Sequence, residues 1–327
     1  MPKSLFGQSL FGLSLIAASH LPAAAQDFGL GRGVDHVAHL VRAENFAATG
    51  EIFTEQLGFA ATPPLLSPLG AKNRLIWFED LSYLEIATFT EDNPFTAPFL
   101  AFLAEHEGTK FFGSEVTDGA AALGFLNGAG YPAIGPIPAP PLVIEPTGDV
   151  VGLSPLWSSV VLAAVVAPDN SQFFLDYDET QVQAMFDGFP AVAPRPHPNT
   201  ARKIDTLWLV VADLDAAIDF YQGLGLDVRH RNKKLHYLGA RGAEVDLGNA
   251  RLALLVPDGP GPVATFVADR GEGLLGLSLE VGHLPTAHAV ATSGTGEPLP
   301  VFKYKGRDRF LVPPAVTRGM WLEMVEE

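Results

Sequence analysis

Two side chains in the first third of the sequence have the types to do chemistry together. His36 stands in Val34-Asp35-His36-Val37-Ala38-His39-Leu40-Val41, and Glu85 in Tyr83-Leu84-Glu85-Ile86. An imidazole beside a carboxylate can chelate a metal ion or move a proton. Glu85 lies in an otherwise apolar strand, where a buried carboxylate needs a cation or donors; a metal or His36 would serve. It is also a candidate base towards a carbon acid. His39 follows His36 by three residues, so on a strand it faces the other way and takes a structural or surface role.

Other chemistries find no support. The chain has no cysteine, which excludes a thiol enzyme, a Cys-ligated zinc, a disulfide and a lipidated cysteine anchor. It contains no G-x-S-x-G elbow, P-loop, dinucleotide fingerprint or H-E-x-x-H. His283 and His288 are five residues apart, a poor helical spacing for shared chelation. Arg229-His230-Arg231-Asn232-Lys233-Lys234 is the one basic run; it could meet an anionic substrate, but a solvated hairpin is the expected reading.

The elements that must position His36 and Glu85 follow from periodicity. Residues 34–41 read as a strand, with Val34, His36, Ala38 and Leu40 on one face. Asn45 can cap a helix carrying Phe46, Ile52, Phe53 and Leu57, and Gly58 ends it. Residues 74–78 and 83–89 are strands. A second unit has helices at 97–107 and 118–126 and strands at 110–116, within 150–166, and at 172–177 after an Asp169-Asn170 turn. Residues 132–141 read as a Pro-rich connection. Residues 181–203 carry Pro190, Pro194, Pro196 and Pro198 and form the expected interdomain linker.

The pattern then restarts. Ile204-Asp205-Thr206 and Leu224-Gly225-Leu226 repeat Val34-Asp35-His36 and Leu57-Gly58-Phe59. Tyr83-Leu84-Glu85-Ile86 recurs as Trp321-Leu322-Glu323-Met324, and more loosely as Phe174-Leu175-Asp176-Tyr177. The chain thus reads as four β-α-β-β-β units in two pairs, an α+β protein of two tandem domains, 34–180 and 204–326.

The chain resembles the glyoxalase-like branch of the vicinal oxygen chelate superfamily, with its glyoxalase, bleomycin-resistance and dihydroxybiphenyl-dioxygenase folds. The resemblance rests on Asp35-His36, Leu57-Gly58-Phe59, Gly70-Ala71-Lys72-Asn73 and Tyr83-Leu84-Glu85, and on their partial return in the second half. It implies sheets that curl around a cleft. It also implies one divalent metal ion, zinc, iron, manganese or nickel, held by His36 and Glu85, with Asp176 where a further carboxylate would stand. Such an ion would act as a Lewis acid on a small oxygenated substrate. In the second domain, the metal positions fall on Thr206, Ala253, Gly276 and Glu323, so that domain is expected to be metal-free. The leading expectation is a lyase or isomerase. Extradiol ring cleavage calls for two histidines and a carboxylate on iron, and only one histidine is in place. The alternatives are a metal-free protein that sequesters an apolar small molecule in the same cleft, or a dimerising protein with a decayed site. A homodimer is compatible with this organisation.

Composition bounds the setting. The chain has 327 residues, 47% of them hydrophobic and 18% charged, which suits two packed domains. A net charge of −16 argues against nucleic acid or anionic lipid as a partner. Residues 1–25 read as a secretory signal: Lys3, an apolar run at 10–18, then Ala23-Ala24-Ala25 for cleavage. The expected location is periplasmic or extracellular.

Overall fold

The computed structural model describes residues 30–162, 168 and 172–327. The expected signal at 1–25, the Asp169-Asn170 turn and residues 163–166 of one expected strand lie outside them.

The first sheet contains β1 (Gly33–Leu40), β2 (Leu65–Leu66), β3 (Ala71–Trp77), β4 (Tyr83–Phe89), β5 (Gly108–Val116), β6 (Ala133–Pro138), β7 (Leu142–Ile144), β8 (Val150–Val151), β9 (Trp157–Leu162) and β10 (Gln172–Tyr177). Its order is β6-β9-β10-β5-β1-β4-β3-β2-β7-β8. The second sheet contains β11 (Ala201–Val210), β12 (Val228–Leu235), β13 (Ala240–Asp246), β14 (Arg251–Pro257), β15 (Gly273–Val281), β16 (Phe302–Tyr304), β17 (Arg307–Val312) and β18 (Trp321–Glu326). Its order is β12-β13-β14-β11-β15-β18-β17-β16. The helices are α1 (Phe46–Glu51), which runs on as a π-helical turn at Ile52–Gln56, α2 (Ala97–Glu105), α3 (Gly119–Gly128), α4 (Glu179–Gly188), α5 (Leu214–Gly223), α6 (Pro262–Arg270), α7 (Leu284–Thr295) and α8 (Pro314–Thr317).

Each sheet is built from two β-α-β-β-β units, giving a mixed α+β chain of two tandem domains. The opening strands pair antiparallel at the centre, β1 with β5 and β11 with β15. Each also pairs parallel with the closing strand of its own unit: β4, β10, β14 and β18. The β7–β8 hairpin is inserted in the second unit and extends the first unit's edge through β2.

The interior lies between the sheets. One apolar cluster joins Val37 and Phe112 of the first sheet to Leu207 and Leu277 of the second, with Phe53, Leu126, Tyr221 and Ala287 from the helical segments between them. Burying residues of that size contributes roughly 2 kcal/mol each. The opposite faces carry Ala38, Leu40 and Ala87 in one sheet and Trp208, Val210 and Leu255 in the other. These are the concave faces, and both turn away from the shared interior.

His39 belongs to the interior side and is fully buried, not at the surface. Its ring nitrogens make no hydrogen bond of good geometry among the described residues, although the Thr317 main chain stands close enough to the ring to favour its charged form. Burial holds its pKa down to about 4; attraction to the Thr317 main chain and Glu107 opposes this without reversing it. Nearby, the Thr109 hydroxyl donates to the Leu274 carbonyl at 2.8 Å, tying β5 to β15.

Several local expectations are revised. Residues 181–203 are no open tether: they hold most of α4, and Met185, Phe186, Phe189 and Val192 pack with Trp77 and Tyr83. His197 accepts from the Ala60 amide and donates to the Trp77 carbonyl, both at 2.9 Å. Asn45 makes no cap; its amide donates to Glu107 Oε1 at 2.8 Å. The Pro-rich stretch forms β6 at the sheet edge, where prolines remove no interior ladder bond. The basic run behaves as expected: it is the exposed edge strand β12, one arm of the β12–β13 hairpin. Charges there discourage pairing with another chain.

Candidate active site

A bulge makes the site. On an unbroken strand Asp35 and His36 would face opposite ways. The β1–β5 register slips between Val34 and His36. Val34 therefore joins the interior cluster, and Asp35 turns to the concave side with His36. The Asp35 carboxylate accepts the Nδ1–H of His36 in a close hydrogen bond. It also accepts the Tyr177 hydroxyl at 3.3 Å.

The far nitrogen of the imidazole meets the second residue. His36 Nε2 lies 3.6 Å from Glu85 Oε2. Asn73 on β3 donates to the other oxygen of Glu85 at 2.7 Å. The imidazole stacks on Tyr83 with ring centroids 4.6 Å apart and receives the edges of Phe111 and Phe173 at 6.2 and 5.3 Å. Gly113 leaves room for it: a Cβ there would stand 3.0 Å from the imidazole Cε1 and Nδ1.

Burial works against a charge on His36, but the charge and hydrogen bond of Asp35, aided by Glu85, outweigh it and raise the pKa. Tyr83 and Tyr177 are pushed up by burial and by neighbouring carboxylates, so both phenols stay protonated. The result is an imidazole biased towards its cation, gripped on one side and facing a carboxylate on the other.

Asp176 does not join them. Both β1 and β5 open on a glycine, Gly33 and Gly108, and aligning these puts His36 on Phe111. Ala38 pairs with Glu85 where Gly113 pairs with Phe173, so Phe173, not Asp176, repeats Glu85. Asp176 is three residues further and faces the other side of the strand, where it accepts the Gly119 amide at 2.9 Å at the start of α3. The sequence reading took the wrong register because Leu175-Asp176 mimics Leu84-Glu85 while the true partner is an aromatic.

The family model described as "Glyoxalase-like domain" matches residues 34–225, more than half of the chain. The chain belongs to the glyoxalase-like domain family. A model of the Glyoxalase/Bleomycin resistance protein/Dioxygenase superfamily matches residues 203–297. A hypothetical protein from Staphylococcus aureus superposes with a TM-score of 0.56 at 11% identity, over 90% of this chain and 99% of that one. Methylmalonyl-CoA epimerase from Mycobacterium tuberculosis superposes over 39% of this chain and 89% of its own, with 24% identity and a TM-score of 0.35. The epimerase from Streptomyces coelicolor, in complex with 2-nitronate-propionyl-CoA, gives 25% identity and a TM-score of 0.34 over 39% of this chain and 98% of its own. No curated protein matches.

Members of the superfamily to which this glyoxalase-like chain belongs often bind a divalent metal, but the residues here do not fit one. The four repeat-related positions of the first cup are His36, Glu85, Phe111 and Phe173. Two offer donors and two offer phenyl rings. Catalytic sites for zinc use three protein ligands. Among the described residues, no group of three or more His, Asp or Glu side chains is arranged to hold a metal ion.

In the second domain of this glyoxalase-like chain the same alignment gives Thr206, Ala253, Gly276 and Glu323, as expected. Glu323 is not an open ligand. Arg309 Nη1 donates to both of its oxygens at 3.1 Å, and the Ser278 hydroxyl donates at 2.5 Å. Burial raises its pKa against these partners. A guanidinium thus engages the one carboxylate that the repeat places among these four positions.

Sequence reasoning missed Asp35, Tyr177 and Arg309 as site residues. The bulge that recruits Asp35 leaves no mark in the alternation of Val34 to Val41. Asn73 belongs to the Gly70-to-Asn73 motif, just ahead of the strand expected at 74–78; β3 begins earlier, at Ala71, and includes it.

Proposed function

We propose that the first cup is an acid–base site that moves a proton on a small oxygenated carbon acid, the chemistry of a lyase or isomerase. The observation that carries this reading is the facing pair His36 Nε2 and Glu85 Oε2, 3.6 Å apart on neighbouring strands, with Asp35 holding Nδ1. Asp35 fixes the imidazole and favours its cation, which suits donation to a carbonyl oxygen. Glu85, steadied by Asn73, suits removal of a proton from the adjacent carbon. Tyr83, Phe111 and Phe173 wall the pair with rings and favour a substrate with an apolar or planar part.

The test is proton exchange. 2-Hydroxy ketones, 2-oxo aldehydes and 2-substituted thioesters are incubated with the protein in deuterated water, and the carbon next to the carbonyl is followed by NMR. Exchange is expected with at least one compound, unaffected by a chelator, and reduced about 100-fold or more by Glu85→Gln. No exchange across the panel, or exchange indifferent to both Glu85→Gln and His36→Gln, would sink the proposal.

A second reading, sequestration of an apolar small molecule without turnover, is favoured by the rings that leave His36 only 5% exposed. Tight binding with no exchange would select it. We also propose that residues 1–25 direct export and are removed, on the strength of the apolar run before Ala23-Ala24-Ala25. N-terminal sequencing from the native host would then begin at Gln26; an intact Met1 terminus refutes it.

A further inference from the structure

We propose that the concave face of the second domain is a binding site for a small oxyanion, a carboxylate or phosphate group carried on a molecule with a flat apolar part. A cavity of about 80 Å³ opens there, and five cations line it: Lys233, Arg251, Lys305, Arg307 and Arg309.

Four carboxylates answer these five cations. Asp205 is shared by Arg251 at 2.5 Å and Arg307 at 3.4 Å. Glu280 also takes Arg307, at 3.1 Å. Glu244 takes Lys233, and Glu323 takes Arg309. Lys305 has no carboxylate within ion-pair distance among the described residues. The buried Arg309 side chain keeps a further unmet donor, since its Nε has no hydrogen-bond partner there. The chain as a whole holds 37 acidic against 21 basic residues. A positive surplus at the mouth of a concave site, with Lys305 exposed there, therefore runs against the composition, and the cavity walls focus such a field on an entering anion.

Lys305 is held at the cavity at some cost. It forms a two-residue turn with Gly306 between β16 and β17, and its own φ is +51°. Glycine or asparagine is the usual residue in that left-handed place. The hairpin is pinned to the edge strand β12 by the Tyr304 hydroxyl, which donates to the Lys234 carbonyl at 2.5 Å. Arginine forks match carboxylate and phosphate oxygens alike. The rings of Tyr304 and Tyr237 lie 5.1 and 5.7 Å from the Arg309 guanidinium carbon and give the flat apolar wall.

Isothermal titration of the full chain with benzoate and with inorganic phosphate, at ionic strength fixed by chloride, tests this. One saturable site is expected for at least one probe; preference for benzoate assigns the carboxylate, and preference for phosphate assigns the phosphate. Lys305→Asn suits the turn, so folding is kept, and it should weaken binding about 5-fold, with Lys305→Glu weakening it about 20-fold or more. Arg229→Ala removes an exposed charge from β12 outside the cavity and should leave binding unchanged. No saturable binding of either probe, or equal losses in Arg229→Ala and Lys305→Asn, overturns the proposal.

Discussion

His36 on β1 and Phe111 on β5 hold the same place in the internal repeat, and their rings meet edge to face with centroids 6.2 Å apart. Phe173 repeats Glu85 in the same way and also packs on His36, at 5.3 Å. One unit of the pair kept polar groups and the other became its wall.

That relationship makes the donor set repairable. Phe111→His combined with Phe173→Glu supplies four ligands around one cup, and the double variant is expected to retain about one zinc ion per chain after dialysis. The parent should retain far less. Elemental analysis reads both; a parent holding a full equivalent would mean that His36 and Glu85 recruit ligands from elsewhere.

Asp176→Ala should cost about 1 kcal/mol in urea unfolding, because it removes the acceptor at the start of α3. It should leave the titration of His36, followed by NMR, where it was. A moved His36 titration would return Asp176 to the cup.

Stability should fall on the acid side. His39 and His197 are both lowered to about 4 in the folded chain, from an ordinary 6.5. Between those values the unfolded chain binds more protons, so stability drops as pH falls from 6.5 to 4. For His39 the full effect is about 3 kcal/mol. His36 acts with the opposite sign: its raised pKa adds stability present below 6.5 and lost as pH rises through the folded value. Urea unfolding from pH 4.5 to 8 should show a shallower acid limb in His39→Gln and a shallower neutral-to-alkaline decline in His36→Gln. An acid limb unchanged by His39→Gln would reassign it to other groups.

Arg309→Met leaves Glu323 buried without its cation, and a loss of about 3–5 kcal/mol is expected. Adding Glu323→Leu should restore most of it, since both charges are then gone. Thermal and urea unfolding of the two variants measure this; a double variant no more stable than the single would place the role of Arg309 in packing against Tyr304 and Tyr237.

Much of the architecture was legible because periodicity and repetition report it directly. Ile204-Asp205-Thr206 restates Val34-Asp35-His36, and the four-unit plan follows. His36 and Glu85 were legible as a pair because two parallel neighbours, β1 and β4, bring them together. Asp35 was not, because a one-residue bulge depends on how β5 pairs, which is non-local. Asp176 misled because register across the β5–β10 ladder, and not the local Leu-Asp motif, decides which side chain enters the cup. The cationic cavity was hidden for a similar reason: Lys233, Arg251 and Arg307 come from three strands far apart in sequence.

The common layer between the sheets has a consequence for communication. A single small molecule cannot bridge two hollows that open on opposite sides of the chain. Any dialogue between them passes through what joins the two sheets: the cluster holding Val37, Phe112, Leu207 and Leu277, and polar ties such as Thr109 to Leu274 and Asn249 to Val34. Occupancy of either hollow would then be felt at the other as added resistance to melting, two ligand addresses sharing one thermodynamic foundation.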